Sequence, residues 1–164
     1  PLIGALPVEY VFMGKLKGAG VNAGNDEGIW RRVDGRIEQV ARERGPIDGV
    51  ASGDRWKRFY SVALGSLRGP LFVTDVTRAR GTSTFKTQRI LWSVDSRGRL
   101  LPLLGQGDLI TANLRLRTVK NFSALLPSKE TAGVRTSFSS PGDRVAARVE
   151  FTDRTTALVS VSIP

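Results

Sequence analysis

Short apolar runs separated by turn residues recur along this chain, and this pattern most limits how it can fold. The run "VEYVFMGKL" (8–16) is rich in β-branched and aromatic residues, which suit a pleated, half-buried surface. In "RILWSVDSRGRLLPLL" (89–104) the turn at 95–98 lies between two apolar arms and predicts a hairpin. The other predicted strands are 58–65, 70–79, 108–119, and 143–151 with 156–163 as a last hairpin.

One segment, "DGRIEQVARERGP" (34–46), departs from this pattern. It places Ile37, Val40 and Ala41 at helical spacing, and its closing Gly-Pro pair would end a helix. The alternative is a hairpin, because the Asp-Gly pair stands between two apolar runs. The helical spacing is the interpretation favoured here, so one short helix is expected near residues 35–44.

The elements together predict an all-β, single-domain antiparallel β-sandwich of the jelly-roll type over residues 1–164. Seven or eight short strands without βαβ alternation suit a sandwich, a jelly roll or a barrel. The length is that of one ordinary domain. The chain begins at Pro1 rather than Met, as a processed product or an excised fragment would. No run approaches the roughly 18 apolar residues of a membrane span, so no membrane partner is expected.

The chain contains no cysteine and no histidine. This removes thiolate nucleophiles, imidazole bases, Ser-His-Asp triads and His/Cys zinc sites. "STFK" (83–86) has the serine-lysine spacing of penicillin-recognising enzymes, but no Lys-Thr-Gly triplet exists anywhere in the chain. Paired acids such as Asp26/Glu27 most often solvate a surface. The sequence therefore predicts no catalytic residue, no enzyme activity, no metal and no cofactor.

The glycine-rich stretch "KLKGAGVNAGNDEG" (15–28) raises the possibility of a phosphate-binding loop. A dinucleotide loop must open a helix, whose N-terminal N–H groups hold the pyrophosphate. Here the glycines are followed by turn residues and by two carboxylates, Asp26 and Glu27. A loop after a strand is the favoured interpretation, with oxygen ligation of Ca²⁺ as a weaker alternative.

The charge balance is strongly basic, with 25 Lys and Arg, 19 of them Arg, against 15 acids. Arginine offers a planar fork of donors that matches phosphate. A domain with a net charge of +10 attracts polyanions, and nucleic acid is the leading candidate. A GC-rich genome would enrich arginine, glycine and alanine without any selection for binding, so this alternative stays open.

Three basic clusters supply the candidate RNA contacts. One pair adjoins Trp30, and a second is interleaved with the aromatics of 56–60, where rings could stack on bases while cations hold phosphates. The third pair shares one face of the strand 108–119, opposite Leu114 and Leu116. The alternative for 56–60 is that Phe59 is a core residue and the cations are only solvated. The candidate contacts are Arg31, Arg32, Lys57, Arg58, Arg115 and Arg117.

A β-sandwich rich in arginine, without catalytic residues, resembles the coat proteins of small icosahedral RNA viruses. "KLKGAGV" (15–21) is similar to a strand end in the small coat domains of comovirus-type plant viruses. The resemblance implies a jelly roll that assembles with other coat subunits around RNA, and hence a virion location. Such proteins often carry a basic N-terminal arm, whereas this chain begins with the apolar "PLIGALP".

A second resemblance lies in 70–117, where "RILWSVDSRGRLLPLLGQGDLITANLRLR" is similar in rhythm to a β-sandwich module of bacterial α2-macroglobulins. It implies a periplasmic or extracellular binding module of a larger protein. The function predicted from the sequence is therefore a viral capsid protein, with such a module or a monomeric RNA-binding protein as alternatives.

Overall fold

The computed structural model describes residues 8–49, 53–65, 69–80, 84–95, 97–124, 137–138 and 144–163. Over these residues the chain forms strands and turns, with no helix. The strands are β1 (Val8–Lys15), β2 (Glu27–Val33), β3 (Arg36–Arg42), β4 (Arg55–Gly65), β5 (Gly69–Arg80), β6 (Thr84–Val94), β7 (Leu100–Gly105), β8 (Leu109–Ala112), β9 (Arg115–Ala124), β10 (Ser137–Phe138), β11 (Arg144–Phe151) and β12 (Thr156–Ser162).

The strands form three sheets. The first sheet has the order β1-β2-β3, the central sheet β10-β4-β5-β6-β7, and the last sheet β12-β11-β9-β8. Neighbouring strands run antiparallel, except that the two-residue β10 lies parallel to β4. Most neighbours are also consecutive in sequence, because most of the connections between them are only a few residues long.

The central sheet is buried on both faces. On β5, Leu71 and Val73 pack with the apolar side chains of the last sheet. Phe72 and Val76, which point the other way, pack with Ile29 and its neighbours in the first sheet. Successive side chains of a strand alternate between the two faces, so apolar residues are needed on both, as they are in a sheet covered on two sides.

Aromatic contacts organise the core between the first and central sheets. The rings of Trp56 and Trp92 meet edge to face with their centroids 5.3 Å apart, a favoured geometry for aromatic pairs. The indole N–H of Trp92 donates to Thr74 Oγ1 at 3.1 Å. Because Thr74 is itself fully buried, this bond satisfies two polar groups that would otherwise be stranded away from water.

The predicted all-β antiparallel sandwich is confirmed. The strands expected at 8–16, 58–65 and 70–79 correspond to β1, β4 and β5. The hairpin expected over 89–104 corresponds to β6 and β7, and the last hairpin to β11 and β12. Phe59 is a buried core residue, as the alternative for the segment 56–60 predicted, and Trp56, which was not predicted to be core, is buried as well.

The predicted helix near residues 35–44 is wrong. This segment is β3, which pairs antiparallel with β2, so the hairpin alternative was right. Asp34 and Gly35 have φ angles of 50° and 72°, as both central residues of a type I′ turn require. Pairing with β2 buries Ala41 against the central sheet, and this tertiary contact outweighs the helical spacing of the apolar residues.

The single strand predicted at 108–119 is instead a hairpin of β8 and β9. Asn113 and Leu114 form its turn, with φ angles of 53° and 62°. The turn reverses the expected facing: Leu116 points outward and is 67% exposed, whereas Arg117 lies on the core side, near Phe151. Apolar and polar residues do alternate along this segment, as the sequence analysis recognised. The turn was missed because the alternation continues across it and because Asn113-Leu114 contains no glycine.

Burial on both faces predicts that adjacent residues of β6 are both essential. Ile90→Ala and Leu91→Ala should each lower the free energy of unfolding by about 2–5 kcal/mol, because Ile90 faces the first sheet and Leu91 faces the last sheet. Urea denaturation followed by circular dichroism measures both.

The matched control is an adjacent pair on β11, Arg148 and Val149, of which only Val149 is buried. Val149→Ala should cost about 1–3 kcal/mol and Arg148→Ala at most about 0.5 kcal/mol. If one of the two β6 variants is as stable as Arg148→Ala, one face of the central sheet is not buried.

Candidate nucleic-acid interface

The outward face of the first sheet follows from the strand register. Phe12 pairs with Trp30, and Tyr10 pairs with Arg32, while Ile29, between Trp30 and Gly28, points inward and is fully buried. Side chains alternate along each strand, so paired residues on neighbouring strands share a face. The positions on the outward face are Tyr10, Phe12, Gly14, Gly28, Trp30, Arg32, Ile37, Gln39 and Arg42.

Three aromatic rings form a row on this face. The centroids of Tyr10 and Phe12 lie 6.0 Å apart, and those of Phe12 and Trp30 lie 5.9 Å apart with ring planes only 22° from parallel. Tyr10 is 41% exposed, and Phe12 and Trp30 are half-buried. The row therefore presents accessible aromatic surface on which planar groups could stack.

Two glycines make room for the indole of Trp30. A Cβ built on Gly28 would lie 2.7 Å from Trp30 Cη2, and one on Gly14 would lie 3.3 Å from Trp30 Cζ3. Gly14 and Gly28 are directly paired across β1 and β2. The indole thus packs directly on the backbone of these two glycines, so the ring lies flat against the sheet and does not project from it.

Charge is divided between the two faces of the first sheet. Among the outward positions whose side chains the structure describes, the charged residues are Arg32 and Arg42, and none is a carboxylate. On this sheet Glu27 is paired in register with Lys15, and Glu38 with Arg31, at positions that alternate with the outward ones. Arg32 lies with its guanidinium carbon 5.6 Å from the centroid of Tyr10. The outward face therefore combines aromatic rings with positive charge.

The structure separates Arg31 from Arg32. Arg31 donates from Nε to Glu38 Oε2 at 3.0 Å, and it lines a groove of about 490 Å³ between the first sheet and the β6–β7 turn. Arg99 also lines this groove and is paired with Asp95 at 2.7 Å. Of the two adjacent arginines predicted to contact RNA, only Arg32 belongs to the aromatic face.

Lys57 and Arg58 lie on a different sheet, beside Tyr60 on β4. The Tyr60 ring lies 4.2 Å from the guanidinium carbon of Arg89 and 5.3 Å from that of Arg58. Tyr60 Oη donates to Asp75 Oδ2 at 2.6 Å, and Arg89 Nε donates to Asp75 Oδ1 at 3.1 Å. Lys57 is bonded to the hydroxyl of Thr87. Asp75 thus neutralises part of the positive charge in this cluster.

The ionisation of this cluster follows from burial and from Asp75. Burial raises the pKa of the Tyr60 phenol, and its hydrogen bond to Asp75 raises it further. Burial works against the charged form of Arg89, but the Asp75 carboxylate outweighs this effect and leaves the pKa of Arg89 raised. Tyr60 therefore stays a neutral hydrogen-bond donor and Arg89 stays charged.

Arg115 and Arg117 lie on the last sheet, apart from both other groups. Arg117 forms an ion pair with Asp153 at 3.4 Å and its side chain is 15% exposed, while Arg115 is exposed beside the β8–β9 turn. Hydrogen bonds from Thr155, together with the nearby Arg117, hold the pKa of Asp153 below its usual value. The six predicted contacts thus lie on three different sheets, and Arg31 and Arg32 lie on opposite faces of the first one.

The sequence reasoning missed Tyr10 and Phe12. They are some twenty residues away from Trp30 in the sequence and reach it only through the β1–β2 register. The available signal was their spacing of two within the first predicted strand, which places both rings on one face. Asp75 and Arg89 were missed for the same reason, since they meet Tyr60 only across β4, β5 and β6.

The glycine-rich loop connects β1 to β2 and opens no helix, in agreement with the loop interpretation. Asn22 and Asn25 close it through hydrogen bonds to backbone groups of the loop. No group of three or more acidic residues in the described ranges is placed to hold a metal ion. Lys86 of the serine-lysine motif lies on β6, and Ser83 lies outside the described residues.

Residues 8–164 match the model of a protein family described as a family of unknown function, DUF7453. The chain belongs to the DUF7453 family. No curated protein and no solved structure matches it. The resemblances of this DUF7453 chain to viral coat proteins and to α2-macroglobulin modules therefore stay predictions.

A membrane-spanning helix is not found in the described ranges of the chain.

Glu43, an acidic residue beside the glycine-rich loop, gives a prediction of how the stability of the domain changes with pH. Burial raises the pKa of Glu43, and the nearby carboxylates of Glu27 and Asp26 add to this, against a hydrogen bond from the Glu27 backbone N–H. A raised folded-state pKa means that stability is lost as the pH rises through it. Glu43→Gln should therefore stabilise this DUF7453 domain at neutral pH and have little effect near about pH 3.

Thermal unfolding across that pH range measures the effect. The control is Glu38→Gln, which removes an exposed ion pair with Arg31 and should give no gain at any pH. A Glu43→Gln gain that is the same at acidic and neutral pH would show that the ionisation of Glu43 is not its cause.

Proposed function

We propose that this domain is a non-catalytic binding module that holds single-stranded nucleic acid, in the first instance RNA, on the outward face of its first sheet. The observation that supports it best is the row formed by Tyr10, Phe12 and Trp30, which shares its face with Arg32 and Arg42 and, among the side chains that the structure describes there, with no carboxylate. Stacked rings hold the bases of a single strand, and guanidinium groups hold its phosphates.

A single strand suits this face better than a duplex does. The faces of the bases are free in a single strand, whereas a duplex hides them in its stack and offers mainly its backbone. Stacking on rings is tolerant of sequence because every base has a π-face. The face is therefore expected to favour unpaired strands and to discriminate weakly between sequences.

The aromatic contact gives the first test. Trp30→Ala should weaken binding of a single-stranded oligonucleotide by about 1–3 kcal/mol, or roughly five- to 150-fold in Kd, measured by fluorescence anisotropy. Tyr60→Ala is the control, because Tyr60 belongs to the central sheet. Equal affinities for the wild type and the Trp30→Ala variant would reject the aromatic row as the binding face.

Arg31 and Arg32 give a matched pair, being adjacent residues of one type on opposite faces of β2. Arg32→Ala should weaken binding and reduce the slope of log K against log salt by about 0.7, the contribution of one contact to a single-strand phosphate. Arg31→Ala should leave the slope unchanged, because Arg31 lies on the face of β2 opposite to the aromatic row. A salt titration of both variants decides between specific placement and a diffuse basic surface, which would give equal losses.

Size-exclusion chromatography with the ratio of absorbance at 260 and 280 nm would separate the forms that this function could take. A monomeric module elutes as a single domain and binds added oligonucleotide. A coat protein elutes as particles or subunit clusters that carry nucleic acid. Failure of both the wild type and its variants to bind any oligonucleotide would reject the proposal in either form.

A further inference from the structure

The turn between β8 and β9 contains a leucine, Leu114, whose side chain does not pack in the core of the domain. Leu114 has a φ angle of 62°, in the left-handed region where a bulky residue is strained and where a type I′ turn favours glycine. Its side chain is 98% exposed. The strain is thus not offset by any packing within this domain, and such an outlier points to a role outside the fold.

Two further leucines extend this apolar surface along the hairpin. Leu116 is 67% exposed and Leu109 is 63% exposed. Leu109 pairs with Thr118, and Leu116 pairs with Thr111, so the two leucines are diagonal neighbours on one face, about 7–8 Å apart. We call Leu109, Leu114 and Leu116 the leucine tip.

The hairpin sequence that carries the leucine tip is basic. The segment from Leu109 to Lys120 contains three cations and no carboxylate. Arg115 adjoins Leu114 and is exposed, and its side chain has no hydrogen bond or ion pair to any residue in the described ranges. Arg117 is paired with Asp153 and Lys120 with Glu150, so Arg115 is the cation available to an outside partner at the turn itself.

We infer that the leucine tip docks this domain on the surface of an anionic lipid bilayer. A tight hairpin turn is narrow and projects its side chains, so it can insert between lipid headgroups without a complementary surface on the other side. Arg115 and the overall charge of +10 then meet the negative headgroups. The sequence analysis expected no membrane partner because no apolar run is long enough to span a bilayer. Docking on the bilayer surface does not need such a run.

A second copy of the chain fits the leucine tip less well. A standard protein interface buries about 800 Å² on each partner, which three leucines on a narrow hairpin do not supply. A bilayer sets no such minimum, because each inserted side chain adds its own apolar burial.

Vesicle sedimentation of the full chain tests this inference. The wild type should bind phosphatidylcholine vesicles that contain about one third phosphatidylserine, and bind pure phosphatidylcholine vesicles far less. Leu114→Gly should lower binding to the anionic vesicles about tenfold. The same variant should raise the melting temperature, because glycine adopts the turn conformation without strain, so lost binding cannot be attributed to unfolding.

The matched control is Leu158→Ser, because Leu158 is 74% exposed but lies on β12. It should bind the anionic vesicles like the wild type. Equal binding by Leu114→Gly and the wild type, or no binding by the wild type, would overturn the inference. So would a concentration-dependent dimer that Leu114→Gly abolishes, which would assign the tip to a second copy.

The inference is independent of the proposed nucleic-acid function, because the leucine tip and the aromatic row lie on different sheets. Leu114→Gly should bind single-stranded oligonucleotide like the wild type. Trp30→Ala should sediment with anionic vesicles like the wild type. If Trp30→Ala instead loses vesicle binding as fully as Leu114→Gly does, docking at the tip is wrong.

Discussion

The burial of both faces of the central sheet is the constraint on which the other features depend. Trp92 contacts Trp56 edge to face and donates its indole N–H to Thr74, while Leu91, the residue before it, packs against the last sheet. A sheet covered on both sides leaves the domain with two outer sheets, each with its apolar side inward. The surfaces available to partners are therefore the outward faces and turns of these two outer sheets.

The two outer sheets expose different chemistry. The first sheet has a face of aromatic rings and arginines, held flat where Trp30 lies over Gly14 and Gly28. The last sheet ends in a hairpin whose leucines contribute nothing to its own core. Since the two surfaces lie on opposite sides of the central sheet, they can act separately. This separation would let one small domain hold a polyanion on one side while the other side contacts a second partner.

Much of this fold could be predicted from the sequence, because period-two alternation and turn residues are local signals. They located most strands and the final hairpin. The local signals failed where two patterns overlap: Ile37, Val40 and Ala41 fit a helix, yet pairing with β2 decides for a strand. They also failed at Asn113-Leu114, where the turn contains no glycine.

Strand order and the candidate site could not be predicted in the same way. Jelly rolls and stacked hairpin sheets use the same alternating strands, so strand order could not be read from alternation. Arg32 was recognised as a candidate, but Tyr10 and Phe12 were not, because register between strands is a tertiary property.

Native-state hydrogen exchange tests the central claim most directly. If the central sheet is buried on both faces, the paired backbone amides of β5 and β6 should exchange only through global unfolding, with protection that matches the free energy of unfolding. The amides of β3 and β8, at the edges of the outer sheets, should exchange faster through local opening. Exchange of β5 and β6 at rates as fast as those of β3 or β8 would contradict the account, because it would show that one of the outer sheets does not cover the central one.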